Sequence, residues 1–231
     1  MSHAIEFRAD RGTRTVELKR AIVAGWTGRS REVVDHHIEE LKAIGVAPPS
    51  TVPLFYRVAA HLVTTDAAVQ GVGNTSSGEA EPVLVDDGER LWLGLGSDHT
   101  DRELEAHSVA LSKQICAKPV AAELWSFDEV ADHLDEIRIR SFVRDDEGAD
   151  WVPYQDGTLE AIRPLADLVA AAPESPGNGR LGAGTVMMCG TFPVLSGGVR
   201  PARFFRMEMV DERLGRRIEH IYEMVTLPVV A

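Results

Sequence analysis

Glu79-Ala80-Glu81-Pro82-Val83-Leu84-Val85, the turn Asp86-Asp87-Gly88, and then Leu91-Trp92-Leu93-Gly94-Leu95-Gly96 running into Ser97-Asp98-His99 read as two strands joined by a turn. In an extended strand alternate side chains share a face, so Glu79 and Glu81 point the same way with Cα atoms about 7 Å apart. Asp98, just past the second strand, offers a third carboxylate. Hard cations such as Mg²⁺ take oxygen ligands and keep several waters, which leaves positions for a substrate. The E-x-E pattern alone also fits a solvated acidic strand face, so the rest of the chain has to decide.

Upstream, Thr15–Ala24 reads as a strand entering the turn Gly25-Trp26-Thr27-Gly28. Ser30 caps a helix from Arg31 to about Ile44, stopped by Gly45 and Pro48-Pro49. Val34, Ile38 and Leu41 give that helix an apolar stripe, with His37 beside it one turn before Glu40. Val52–Val58 is a strand and residues 71–78 a flexible loop. Downstream, Glu103–Ser112 suits a short helix. The box Ser126-Phe127-Asp128-Glu129 opens another to about Glu136. Ile137–Val143 alternates as a strand and Trp151–Gln155 pairs back on it. A helix from Thr158 is broken or kinked at Pro164. Ala171–Gly184 is a Pro- and Gly-rich loop. Thr185–Cys189, Ala202–Val210 and Arg217–Thr226 close the fold, the last two as a hairpin. Strands outnumber helices and do not alternate with them, which makes the class α+β.

With 231 residues, 44% of them hydrophobic, the chain can bury a sizeable core. It has no run near the roughly 20 apolar residues that span a bilayer, and the opening MSHAIEFRADRG lacks the apolar centre of a signal peptide. Cys116 and Cys189 form no CxxC or zinc spacing and fit a reducing cytosol, with a single disulfide as the alternative. A net charge of −12 argues against nucleic-acid binding. The expectation is a cytoplasmic protein with no membrane or nucleic-acid partner. An anionic substrate would need local positive charge.

In order along residues 20 to 228, these segments resemble the fumarylacetoacetate hydrolase superfamily, in the form of a compact bacterial relative. Ser97-Asp98-His99-Thr100-Asp101-Arg102-Glu103-Leu104-Glu105 matches its central N-D-V-S-A-R-D-x-Q without a gap. Glu79-Ala80-Glu81 matches its E-x-E. His37-Ile38-Glu39-Glu40-Leu41 matches its lid motif H-A-x-E-L-G, without the glycine. Phe55-Tyr56-Arg57 matches F-x-K, and Lys113 the lysine of K-x-F-D. Gln155-Asp156-Gly157-Thr158 matches Q-x-x-N-T, and Cys189-Gly190-Thr191-Phe192-Pro193 matches T-G-T-P. Three departures are visible. The Asn-Tyr before the lid histidine is missing, Phe192 separates Thr191 from Pro193, and the Arg102–Lys113 segment is short.

The resemblance implies a mixed β-sheet roll with a few peripheral helices. Residues 1–50 would supply a strand and lid-helix segment, and 51–231 the catalytic domain. It implies Mg²⁺ or Mn²⁺ (Ca²⁺ would fit the same oxygens in a crystal) on Glu79, Glu81 and Asp98, with Asp101 the rival third ligand. It implies a small anionic 2-oxo acid substrate and a homodimer. His37 and Glu40, at i and i+3 on one helix face, suit an imidazole oriented by a carboxylate to take a proton from water; His36 with Glu39 is the adjacent alternative. Lys113 or Arg57 would put positive charge near the leaving group, and Thr191 and Gln155 would contact substrate. His99 and Thr100 would lie just outside the metal ligands or be structural, and Arg102 would pair with a buried carboxylate. The reaction implied is C–C hydrolysis of a 2-oxo or 1,3-dicarbonyl acid. The alternatives are a lyase of the same superfamily or a non-catalytic binder of small acids.

Overall fold

The computed structural model describes residues 3–9, 12–43 and 48–230, without the side chains of residues 33, 37, 40, 41 and 43. Two large sheets dominate. The first has eight strands in the order Gly12–Leu18, His3–Ala9, Glu123–Ser126, Leu91–Ser97, Ala80–Asp86, Thr185–Met188, Arg20–Gly25 and Leu54–Val58. The second has five, in the order Val152–Thr158, Arg138–Arg144, Phe204–Asp211, Arg216–Leu227 and Ala68–Val72. Both are mixed. Arg20–Gly25 runs parallel to Thr185–Met188, while Ala80–Asp86 runs antiparallel to Leu91–Ser97.

The two central strands are buried along their whole length. A strand covered on both faces reads as a near-continuous apolar run, and this is why residues 82–85 and 91–95 lack polar alternation. Successive side chains go to different cores. Leu84, Leu93, Leu95 and Met187 pack with Ile139, Met207, Met209 and Tyr222 of the five-stranded sheet. Val83, Val85, Trp92 and Met188 turn the other way. That second cluster holds Val16 and Leu18 from one edge strand together with Val58 from the other. The eight-stranded sheet therefore curls into a roll around its own interior, with the five-stranded sheet packed on its outer face. This is the strand-rich α+β architecture expected, with short helices at its margins.

The sequence reading differs from the structure in detail. The expected Thr15–Ala24 strand is two strands, because the chain breaks at Lys19. The amides of Lys19 and Arg20 both reach the Gly184 carbonyl there, at 2.8 and 3.1 Å. His3–Ala9, not anticipated as a strand, alternates Ile5 and Phe7 inward. The expected 103–112 helix is two short helices, Arg102–Glu105 and Val109–Gln114, capped by the side chains of Asp101 and Ser108. The helix of the lid motif spans Arg31–Ala43. Ala68–Val72 is a strand where a loop was expected to begin.

Candidate metal centre

Glu81 shares the roll-facing side of its strand with Val83 and Val85, so it points into the interior of the roll near one end. The register Ala80↔Ser97 and Glu81↔Gly96 brings Asp98 opposite Glu79, and the Asp98 amide donates to the Glu79 carbonyl at 3.0 Å. One oxygen from each of Glu79, Glu81 and Asp98 lies within 4.8 Å of the others. Gly96 permits this crowding: a Cβ there would meet Val83 at 2.7 Å and Val120 at 3.0 Å. Glu81 and Asp98 are 2% and 0% exposed, while Glu79 is half-buried at the open side.

Each carboxylate is held differently. Glu79 Oε1 lies 3.2 Å from Arg102 Nη2, and Arg102 also donates to Ser77 and Glu105. Sequence reading assigned Arg102 a buried carboxylate; here that carboxylate belongs to the cluster itself. Glu81 Oε2 accepts the Gly190 amide at 2.7 Å. Gly190 is required at that position, since its φ is +105° and a Cβ would sit 1.7 Å from Thr27 Oγ1. Burial raises the Glu81 carboxyl well above the usual range, and the charges of Asp98 and Glu79 add to it. Asp98 faces two lysines. Lys113 Nζ bonds Oδ2, and Lys118 Nζ stands 3.1 Å from Oδ1. Burial would raise Asp98, but the two ammonium groups overcome it and hold the carboxyl at about 2. Asp98 Oδ1 is buried and accepts no hydrogen bond.

Behind Asp98 lies a buried network. His99 joins Tyr222 Oη through Nδ1 and Ser76 Oγ through Nε2, each at 2.9 Å. Tyr222 Oη also meets Ser97 Oγ at 2.9 Å. Burial, with Lys118 and Arg102 adding, lowers the His99 imidazole to about 3, so it is neutral. Thr100 donates to the Asp98 carbonyl at 2.9 Å. Asp101, the rival third ligand, instead accepts from the Leu104 amide at 2.8 Å and from Thr75 at 3.2 Å.

Other expected residues separate into groups. Lys113 lies at the cluster. Thr191 and Gln155 lie next to it but spend their polar atoms inside the protein. Gln155 Oε1 accepts from the Ala80 amide and Ser141, and Nε2 donates to Thr191 and to the Phe192 carbonyl. Thr191 donates to the Ala80 carbonyl at 2.9 Å. Together they clamp the backbone residue between the two glutamates. The structure does not bring Arg57 to the carboxylates. It is exposed and bonds Glu174 at 2.8 Å, whereas its neighbour Tyr56, on the other strand face, lies under the Lys113 ammonium at 5.8 Å. His37 and Glu40 lie on the Arg31–Ala43 helix, but their side chains fall outside the described residues. His36, the alternative base, is exposed.

Lys118 was missed by sequence reading. It is 0% exposed and donates to the His99 carbonyl at 2.6 Å. Its signal was present: it is the one charge in the run Ile115-Cys116-Ala117-Lys118-Pro119-Val120-Ala121-Ala122. A lysine enclosed by apolar residues has to be buried and paired. The donor set as a whole fits a hard divalent cation. It offers three carboxylates, a buried Asp98 oxygen with only the Lys118 ammonium near it and no aligned hydrogen bond, and a glutamate whose ionisation needs added positive charge.

The curled mixed sheet is the fold the resemblance implied, and solved structures share it. The chain is similar to a fumarylpyruvate hydrolase from Pseudomonas aeruginosa in complex with Mn²⁺ and pyruvate, with TM-score 0.63, 18% identity, and 97% of each chain covered. It is similar to a candidate fumarylpyruvate hydrolase from Burkholderia cenocepacia, with TM-score 0.63, 19% identity, and 98% of this chain and 92% of the other covered. It is also similar to a 2-keto-3-deoxy-D-arabinonate dehydratase complexed with magnesium and 2,5-dioxopentanoate. There the TM-score is 0.63 and the identity 14%, covering 94% of this chain and 78% of the other. At these identities the likeness is one of fold. Residues 24–222 match the family described as protein of unknown function, DUF2848, and the chain belongs to that family. No curated protein matches the chain. Among the described residues no helix is long and apolar enough to cross a membrane.

Proposed function

We propose that this chain is a divalent-metal-dependent hydrolase that cleaves a C–C bond in a 2-oxo or 1,3-dicarbonyl acid of the acylpyruvate type. The observation that carries the reading is the convergence of Glu79, Glu81 and Asp98 within 4.8 Å inside the end of the roll, with buried lysines beside them. Glu79, Glu81 and Asp98 would hold Mg²⁺ or Mn²⁺. When bound, the cation supplies two positive charges and Lewis acidity toward the oxygens of such an acid. His37 takes a proton from water, and Glu40, one turn later, orients its imidazole. Lys113 supplies positive charge on the side where an anionic substrate enters. Gln155 and Thr191 position the Glu79–Glu81 backbone rather than touching substrate. The protein works as a homodimer in the cytoplasm.

A second reading, a lyase on the same centre, has one observation in its favour: the dehydratase matches the fold with the same TM-score as the hydrolases. The two are separated by products. The hydrolase reading expects two carboxylic acids from an acylpyruvate, activity abolished by EDTA and restored by Mg²⁺ or Mn²⁺, and competition by oxalate. Decarboxylation or dehydration of a 2-oxo acid with acylpyruvates left intact selects the lyase. Turnover that survives complete metal removal defeats both.

A further inference from the structure

Two lysines meet one buried aspartate, and they are not equivalent. Lys118 is 0% exposed, donates to the His99 carbonyl and stands 3.1 Å from Asp98 Oδ1. Among the cluster's three carboxylates, Asp98 is the one whose charge acts on it. Lys113 bonds Asp98 Oδ2, feels Glu79 next most strongly, and is the lysine that counters the charge pressing on Glu81. Its ammonium therefore sits on Asp98, one of the three clustered carboxylates, and its charge acts on the other two.

Lys113 also has a second partner besides Asp98. It sits on the six-residue Val109–Gln114 helix, whose outer face carries the exposed Leu111. Its ammonium lies 5.8 Å from the centroid of the Tyr56 ring, a face that holds a cation by its quadrupole. Trp26 fixes that ring through a hydrogen bond to the Tyr56 hydroxyl. Lys118 has no second resting place, being enclosed and locked to the main chain.

We propose that the Lys113 ammonium and the divalent cation are alternative occupants of the Glu79–Glu81–Asp98 cluster. Lys113 neutralises Asp98 without the cation, yields Asp98 Oδ2 when the cation binds, and keeps the Tyr56 ring face that it already lies over. The inference rests on the metal-centre reading above. Two bodies of like charge cannot share one carboxylate cluster without mutual cost, so the lysine sets the cation affinity of the site.

The test is a calorimetric titration of Mn²⁺ into EDTA-stripped full-length protein, comparing wild type with Lys113→Met, Lys113→Gln and Lys118→Met. Lys113→Met is expected to bind Mn²⁺ about tenfold tighter or more. Its melting temperature should fall below wild type in EDTA, and that deficit should shrink at saturating Mn²⁺. Lys113→Gln gives the same direction should the methionine variant fail to fold. Lys118→Met, which loses a fixed partner, should be destabilised with and without Mn²⁺ and gain no affinity. Equal or weaker Mn²⁺ binding by both Lys113 variants overturns the proposal. So does a Mn²⁺-loaded crystal structure that keeps Lys113 Nζ on Asp98 Oδ2. Wild type and variants all failing to bind Mn²⁺ would instead remove the metal-centre reading itself.

Discussion

The strand Ala80–Asp86 carries a buried acid near each end, and the two ends are built in opposite ways. Asp86 is 0% exposed, like Asp98. Arg180 grips both of its oxygens, and the amides of Gly88, Leu181 and Gly182 donate at 2.9, 3.0 and 2.9 Å. Burial alone would raise Asp86, but these partners hold it below the usual carboxylate range. At the other end Glu81 accepts one amide hydrogen bond, from Gly190 at 2.7 Å, and Asp98 has two lysines beside it but no hydrogen bond aligned on Oδ1. A buried charge whose partners all come from the chain is a structural tie. A buried charge cluster with unspent oxygens stores a cost that a bound cation can relieve. Two acids with the same burial thus take different roles, and the hydrogen-bond account separates them.

The largest effect expected from this contrast is at the open end. Glu79→Gln with Glu81→Gln removes two of the three clustered carboxylates while keeping their volume. Mn²⁺ affinity should fall by about 10³-fold or more, equivalent to about 4 kcal/mol. The unfolding midpoint in EDTA should change little, because the relief of like charge is offset by the Arg102 partner lost from Glu79. A double variant that still binds Mn²⁺ with near wild-type affinity would place the cation elsewhere.

The closed end should respond in reverse. Arg180→Ala strips the guanidinium from Asp86 and leaves a buried carboxylate without its counter-ion. Breaking such a pair costs about 3 kcal/mol or more, to be read from urea unfolding. Mn²⁺ affinity should change by less than about twofold, since Asp86 and Glu81 are separated along the strand and share no partner. A large loss of Mn²⁺ binding in this variant would mean that the two ends are one cooperative unit.

The same contrast marks what could be read from the chain. The Glu79–Glu81–Asp98 constellation was legible because strand alternation is local, and the short Asp86-Asp87-Gly88 turn limits which residues can lie opposite each other. The Arg31–Ala43 helix was legible from its cap and apolar stripe. Asp86 looked like an ordinary turn acid, since its partner Arg180 lies 94 residues away. Gln155 read as a substrate contact because a lone glutamine says nothing of which backbone it will reach, and here it reaches Ala80 across 75 residues. Lys113 was singled out and Lys118 was not, although both end on Asp98. Periodicity tells which face a side chain takes. It does not tell which distant group will satisfy the charge on that face.

The smallest expected effect, and the sharpest in sign, is the pH dependence of stability in EDTA. Asp86 has a folded value below its ordinary 3.8. The folded state then binds fewer protons than the unfolded one, so its contribution is fully present above 3.8 and is lost as pH falls through the lower folded value. Glu81 is shifted the other way, well above 4.5. Its contribution is present below 4.5 and is lost as pH rises through the raised folded value. Asp86→Asn should therefore lose its deficit against wild type on acidification, as protonation disarms the wild-type carboxylate too. Glu81→Gln should show the opposite trend, gaining on wild type as pH rises toward neutrality. Unfolding curves at a series of pH values, run in EDTA, give both slopes from one set of variants. Parallel slopes for Asp86→Asn and Glu81→Gln would erase the distinction between the two ends of the strand. Adding Mn²⁺ should flatten the Glu81 trend alone, because a cation on that cluster favours the ionised glutamate and leaves Asp86 as it was.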